Sequence, residues 1–100
     1  MSAEVSVKVP TILRTYTGGA ADVTVDVEGA EGGATLAGVI NQLESNYPGI
    51  GARILDEDGK LRRFVNIYVG DEDVRFADGL ETATPAGSEI SVIPAVAGGM

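Results

Sequence analysis

The chain has 100 residues, of which 44% are hydrophobic, and 15 acidic against 7 basic side chains give it a formal net charge of −8. A chain of this length supports one small hydrophobic core, so residues 1–100 are expected to form a single domain. The acidity disfavours nucleic acid and anionic membrane as partners, and it favours a basic groove on another protein.

Two residue types that carry much of side-chain chemistry are missing, since the sequence contains neither cysteine nor histidine. Their absence excludes disulfides, thiolate nucleophiles, the commonest acid/base group and the commonest metal ligands. We therefore expect a protein that is not an enzyme and binds no metal. No apolar run approaches the roughly 20 residues that span a bilayer, and no export signal is visible, so a cytoplasmic location is expected.

Alternating valines predict two strands near the N-terminus. The first strand contains Val5, Val7 and Val9 and ends at Pro10, with residues 11–13 as an extension, and the second contains Val23, Val25 and Val27. Because turn-forming glycines at 18 and 19 lie between them, the two strands are expected to form an antiparallel hairpin.

A helix is predicted after the glycine-rich loop at 29–33. Apolar side chains recur there at the spacing of one helical face: Leu36, Val39, Ile40, Leu43 and Tyr47. Thr35 is the expected N-cap, since its hydroxyl can accept a hydrogen bond from an unpaired first-turn N–H. Pro48 and Gly49 are expected to end the helix.

The second half of the chain predicts three more strands, at residues 64–69, 74–76 and 89–93, of which the first two form a hairpin. The acidic run at 56–59 lacks the ligand spacing of a calcium loop and is interpreted as a solvated turn. A single helix covers only one face of such a sheet. The other face is therefore expected to remain open.

This order of elements is that of the β-grasp fold of ubiquitin. Four stretches resemble the bacterial ubiquitin-like sulfur carriers of the MoaD/ThiS superfamily, and most closely the CysO-type carriers of a cysteine-biosynthesis route: residues 10–14 (PTILR), 63–69 (RFVNIYV), 71–76 (DEDVRF) and 94–99 (PAVAGG). The resemblance implies an α+β fold with a mixed sheet of about five strands and one main helix packed on one face. It also implies that the first and last strands are parallel and central.

The resemblance further implies that the chemistry takes place at the Gly98-Gly99 end of residues 94–100, a flexible C-terminal tail. A ubiquitin-activating-type adenylyltransferase would use ATP to adenylate the Gly99 carboxylate, and a sulfur donor would then convert it to a thiocarboxylate. The carrier itself would bind no cofactor. Glycine suits such a narrow activation site because it has no side chain, and residues 95–99 reach roughly 16 Å when extended.

Met100 departs from the family pattern, in which the active chain ends at the second glycine. We expect a precursor from which a JAMM-type metalloprotease removes Met100 to expose Gly99. The alternative is that Met100 does not belong to the natural chain.

A docking surface for the partners is predicted on the open face of the sheet. By strand alternation this face presents Phe64, Asn66, Tyr68 and Ile93, and the tail adds Pro94, Ala95, Val96 and Ala97. The arginines at 14, 62, 63 and 75 are interpreted as solvated charges or members of local ion pairs.

Three classes of function remain open at this point. A sulfur carrier would deliver to a cysteine synthase-like enzyme, or alternatively to molybdopterin, thiamin or a specialised metabolite. A protein modifier would form isopeptide bonds through Gly99. A plain binding module would use only the β-grasp scaffold.

Overall fold

A computed structural model describes residues 4–27, 34–63 and 65–94 of the chain. The fold is a mixed five-stranded sheet with helices on one face. The strands are β1 (Glu4–Lys8), β2 (Asp22–Asp26), β3 (Val65–Val69), β4 (Glu72–Asp73) and β5 (Glu89–Pro94), and the helices are α1 (Leu36–Asn46) and α2 (Gly51–Ile54). Three 3-10 helices complete it, at Thr11–Thr17, Val74–Phe76 and Gly79–Glu81.

The strand order across the sheet is β2-β1-β5-β3-β4. β1 pairs antiparallel with β2 and parallel with β5, while β3 pairs antiparallel with both β5 and β4. The first and last strands are therefore parallel and central, which confirms the fold class predicted from the sequence.

One face of the sheet, called the inner face, forms the core with α1 and α2. Alternate residues of each long strand are buried there, as the period-2 pattern predicts. The buried apolar strand residues are Val5, Val7, Val23, Val25, Val65, Ile67, Ile90 and Val92. From α1, Leu36, Val39, Ile40 and Leu43 pack against them, and from α2, Ile54 does so.

The start and the buried face of α1 agree with the sequence prediction. The Gly38 amide donates to Thr35 Oγ1 at 3.3 Å, so Thr35 is the N-cap. The helix ends at Asn46, and the Tyr47 amide still donates to the Leu43 carbonyl at 2.7 Å. Tyr47 itself is half-buried beside the core.

The predicted extension of the first strand over residues 11–13 is wrong, because these residues belong to the 3-10 helix Thr11–Thr17. Pro10 has no N–H to continue the ladder, and its carbonyl accepts from the Leu13 amide at 2.9 Å, which closes a tight turn. The turn buries Leu13 and leaves Ile12 on the surface.

The predicted strand over residues 74–76 is also wrong, since β4 ends at Asp73 and a 3-10 helix follows. The Asp73 carboxylate accepts from the Arg75 amide at 2.9 Å, which caps the turn and bends the chain out of the sheet. The hairpin with β3 does form, but its second strand has only two residues.

The acidic run at 56–59 forms the predicted turn. Asp56 Oδ1 accepts from the amides of Asp58 and Lys60 at 2.8 and 3.0 Å. These hydrogen bonds, first the one from Lys60, lower the pKa of Asp56 below its ordinary value. No helix within residues 4–27, 34–63 and 65–94 is long and apolar enough to cross a membrane.

Candidate functional site

The candidate site lies at the end of the sheet toward which β5 runs. β1 runs in the same direction as β5 and ends toward this side, and the antiparallel β3 begins there, whereas the short β4 pairs with the other end of β3. Seven residues predicted for the site lie outside the described part of the chain: Phe64, Ala95, Val96, Ala97, Gly98, Gly99 and Met100. Pro94 is the last residue of β5, and its backbone is opposite Val65.

The face of the sheet opposite the helices, called the outer face, carries the other predicted docking residues. Asn66 and Ile93 are Cα partners, and Tyr68 is the partner of Ser91. Ile93 is 46% exposed, whereas Asn66 and Tyr68 are half-buried. Because their neighbours in sequence are buried in the core, Asn66, Tyr68 and Ile93 share the outer face, as predicted.

Two exposed apolar residues at this end of the sheet were not predicted. Phe76 is 86% exposed and follows Arg75, which contacts Val65 at the start of β3. Ile12 is 65% exposed and follows β1. Both were assigned to strands from the sequence, and the turns that expose them depend on Pro10 and on the Asp73 cap. The sequence did contain a signal for these turns, because Pro10 directly precedes residues 11–13 and Asp73 directly precedes residues 74–76.

The part of the outer face formed by β1 and β2 is charged rather than apolar. Lys8 lies between two carboxylates, with its Nζ 3.8 Å from Asp22 and 3.5 Å from Glu89. Glu4 and Asp26 are exposed Cα partners at the other end of the same hairpin. A protein docking on the whole outer face would therefore meet apolar groups near β5 and β3, and mainly negative charge near β2.

Three of the four arginines interpreted as solvated or ion-paired also donate to backbone carbonyls. Arg14 Nε donates to Val9 O at 3.0 Å, and Arg62 Nε donates to Ala52 O at 2.9 Å. Arg75 makes the most such contacts and also reaches the side chain of Asn66. Arg62 and Arg75 are exposed to solvent, as the interpretation expects, and the hydrogen bonds to carbonyls are an addition that it did not include.

The ThiS family matches residues 7–99, which is nearly the whole chain. This chain belongs to the ThiS family. It is 53% identical to the sulfur carrier protein CysO of Mycobacterium tuberculosis over 97 residues, covering 95% of this chain and 98% of that relative. This ThiS-family chain is also 39% identical, over 66% of its length and 71% of the relative, to the small archaeal modifier protein 3 of Haloferax volcanii.

Solved structures agree with this family membership. The crystal structure of Mycobacterium tuberculosis CysO matches with a TM-score of 0.80 and 52% identity, covering 92% of this chain and 99% of that one. A BexX/CysO complex from Amycolatopsis orientalis matches with a TM-score of 0.82 and 47% identity, covering 92% and 96%. The fold is thus the ubiquitin-like β-grasp of this ThiS family, and the predicted resemblance to CysO-type carriers is confirmed.

Proposed function

We propose that this protein is a sulfur carrier whose reactive group is the carboxylate of Gly99. The observation that carries the proposal is its high identity to the sulfur carrier protein CysO over nearly the whole length of both chains. The sequence adds support of another kind. A carrier that uses its own backbone terminus needs neither cysteine nor histidine, and this chain has neither.

The proposed reaction has two steps. In the first, a Gly99 carboxylate oxygen attacks the α-phosphorus of ATP in a ubiquitin-activating-type enzyme, which forms the acyl adenylate and releases pyrophosphate. In the second, hydrosulfide attacks the acyl carbon and displaces AMP. If an enzyme persulfide attacks instead, AMP leaves and a thiol then reduces the acyl disulfide, which releases the thiocarboxylate and a mixed disulfide. The product is a thiocarboxylate. The activating enzyme supplies the nucleotide site, and this chain supplies the acyl group.

The outer face is proposed to dock on that enzyme. Ile93 is exposed and Tyr68 is half-buried on the strands nearest the site, and β5 continues directly into residues 95–100. A partner that covers this face is therefore close to the root of the terminal segment. The BexX/CysO complex of Amycolatopsis orientalis is an example of a related carrier bound to another protein.

Activation requires that Gly99 carry the free carboxylate, so we propose that Met100 is removed first by a JAMM-type metalloprotease. Intact-mass measurement on protein from its native host tests this step. The account expects the thiocarboxylate only on chains that end at Gly99. A thiocarboxylate on chains that retain Met100 would be inconsistent with it.

The sulfur acceptor is proposed to be a cysteine synthase-like enzyme. Incubation of the thiocarboxylated protein with such an enzyme and an activated serine should release cysteine after hydrolysis and return the carrier to its carboxylate form. A matched incubation with the carboxylate form should release none. If the thiocarboxylated protein forms no cysteine but converts a molybdopterin or thiamin precursor, the cysteine assignment is wrong while the carrier function holds.

A second function, protein modification through Gly99, is favoured by one observation, the identity to a small archaeal modifier protein. It predicts ATP-dependent conjugates of higher mass that contain an isopeptide bond to lysine. If this second function operates, tryptic peptides of a lysate incubated with the processed chain should carry residues 76–99 on lysine, because Arg75 is the last tryptic site before Gly99.

A further inference from the structure

Arg75 is exposed at the surface, yet its guanidinium lies within hydrogen-bond distance of four acceptors. Its Nη1 donates to Asn66 Oδ1 at 2.6 Å. Its Nη2 lies within hydrogen-bond distance of three backbone carbonyls, those of Arg62 at 2.8 Å, Arg63 at 3.3 Å and Val65 at 2.8 Å. All four acceptors belong to the stretch that leads into β3 or to the first residues of β3.

These contacts cover a part of β3 beside which no strand lies among the residues that the structure describes. β4 pairs only with Tyr68 and Val69, so the first three residues of β3 have an open edge on the side away from β5. The Val65 carbonyl points to this open side, because it accepts from Arg75, and the Val65 amide donates to the Arg62 carbonyl. The guanidinium therefore donates to the Val65 carbonyl, which a neighbouring strand would otherwise pair with.

The register of β3 against β5 shows which residues of β5 pair with the residues that Arg75 contacts. The Gly70 amide donates to the Glu89 carbonyl at 2.8 Å, and hydrogen-bonded pairs alternate along an antiparallel ladder. Asn66 and Ile93 are therefore a hydrogen-bonded pair, whereas Val65 and Pro94 are not. Asn66–Ile93 is thus the last hydrogen-bonded pair of the described β3–β5 ladder before residues 95–100.

We propose that Arg75 is a positioning residue for the C-terminal segment. By holding Val65 and Asn66 at the start of β3, it fixes Ile93 and Pro94 at the end of β5 and so sets where the segment bearing Gly99 begins. The claim about position stands on the contacts alone. Its consequence for sulfur loading rests on the proposed function.

The test uses the full chain with Arg75→Gln, and Arg14→Gln as the matched control. Arg14 also donates to a backbone carbonyl, but on the β1 side of the molecule. Amide hydrogen exchange should accelerate about tenfold or more at Asn66 and Ile93 in Arg75→Gln, because the strand ends open locally. In Arg14→Gln the exchange at these two amides should stay within about twofold of the unchanged protein.

A second readout addresses loading. With chains ending at Gly99, Arg75→Gln should lower kcat for thiocarboxylate formation by about tenfold, since the carboxylate is misplaced, while KM stays within about twofold because Tyr68 and Ile93 still dock. A milder variant, Arg75→Lys, keeps the charge but loses the planar fork. Its effects on amide exchange and on kcat should lie between those of Arg75→Gln and the unchanged protein. If Arg75→Gln does not fold, Arg75→Lys tests the positioning role in its place.

Exchange at Asn66 and Ile93 that stays within about twofold in both Arg75 variants would overturn the positioning role. So would equal acceleration in Arg14→Gln, which would indicate general destabilisation. If the unchanged protein accepts no sulfur, the proposed function fails, and the exchange comparison still decides whether Arg75 positions the end of β5.

Discussion

Asn66 of β3 and Ile93 of β5 lie opposite each other on the outer face of the sheet, at the end from which the chain continues toward Gly99. Ile93 is the exposed member of the pair, and Asn66 is held by Arg75. One side chain is thus available to a partner while the other is fixed by the fold. This pair joins the predicted docking surface to the root of the terminal segment.

Ile93→Asp should weaken binding to the activating enzyme about tenfold, because it places a charge in the apolar part of the docking surface. The fold should remain intact, since Ile93 lies on the outer face, outside the core, and is 46% exposed. The apparent KM for thiocarboxylate formation measures the effect, and circular dichroism checks the fold. Ala52→Asp adds the same charge on α2, on the helix side, and should leave KM unchanged. Unchanged kinetics in Ile93→Asp would count against the docking surface.

Much of the fold could be predicted from the sequence because its elements rest on local periodicity. The alternating valines of β1 and β2 and the apolar face of α1 are patterns that span only one element each. The parallel pairing of β1 with β5 is different, since it joins residues about eighty positions apart. The family resemblance supplied that pairing.

The errors have a common physical cause. At residues 11–13 and 74–76, the residue directly before the segment decides between strand and 3-10 helix. Pro10 has no N–H for the ladder, and the Asp73 side chain caps the second segment, but apolar periodicity shows neither effect. The hydrogen bonds of Arg75 could not be predicted for a related reason. Its acceptors are mostly backbone carbonyls ten or more positions away, and carbonyls have no sequence signature.

Pro94 and Ile93 should respond differently to substitutions that add or remove an amide. Pro94→Ala should lower the free energy of unfolding by no more than about 1 kcal/mol, because its pair with Val65 needs no N–H from this position. Ile93→Pro removes the amide that donates to Asn66 and should lower it by about 1 to 3 kcal/mol. Urea denaturation of both variants measures the difference. Equal losses would mean that the ladder alternates in the other phase.

Gly49 and Gly59 provide a matched pair for a packing effect. Both have positive φ, 101° and 78°, but a Cβ on Gly49 would lie 2.9 Å from the Tyr16 ring, whereas nothing lies within 4 Å of one on Gly59. Gly59→Ala should lower the free energy of unfolding by about 1 kcal/mol through backbone strain. Gly49→Ala should cost about 1 kcal/mol more. Chemical denaturation tests this, and similar losses would show that Tyr16 moves aside freely.

Asp56 should titrate below the ordinary aspartate range. Hydrogen bonds from the Lys60 and Asp58 amides favour its charged form, so the pKa is lower in the folded protein than in the unfolded chain. The stabilisation that Asp56 provides is therefore present above the unfolded pKa of about 3.9 and is lost as the pH falls through the lower folded pKa. Carbon-detected NMR titration of its carboxyl group measures this. A midpoint at or above about 3.9 would contradict the turn geometry.

The central claim, that the Gly99 carboxylate carries sulfur, is tested most directly by intact-mass measurement on two forms of the protein, one ending at Gly99 and one at Met100. Each is incubated with the activating enzyme, ATP and sulfide. The account predicts a gain of about 16 Da, from replacement of oxygen by sulfur, on the form ending at Gly99 only. No gain on that form, or an equal gain on the form ending at Met100, would contradict it.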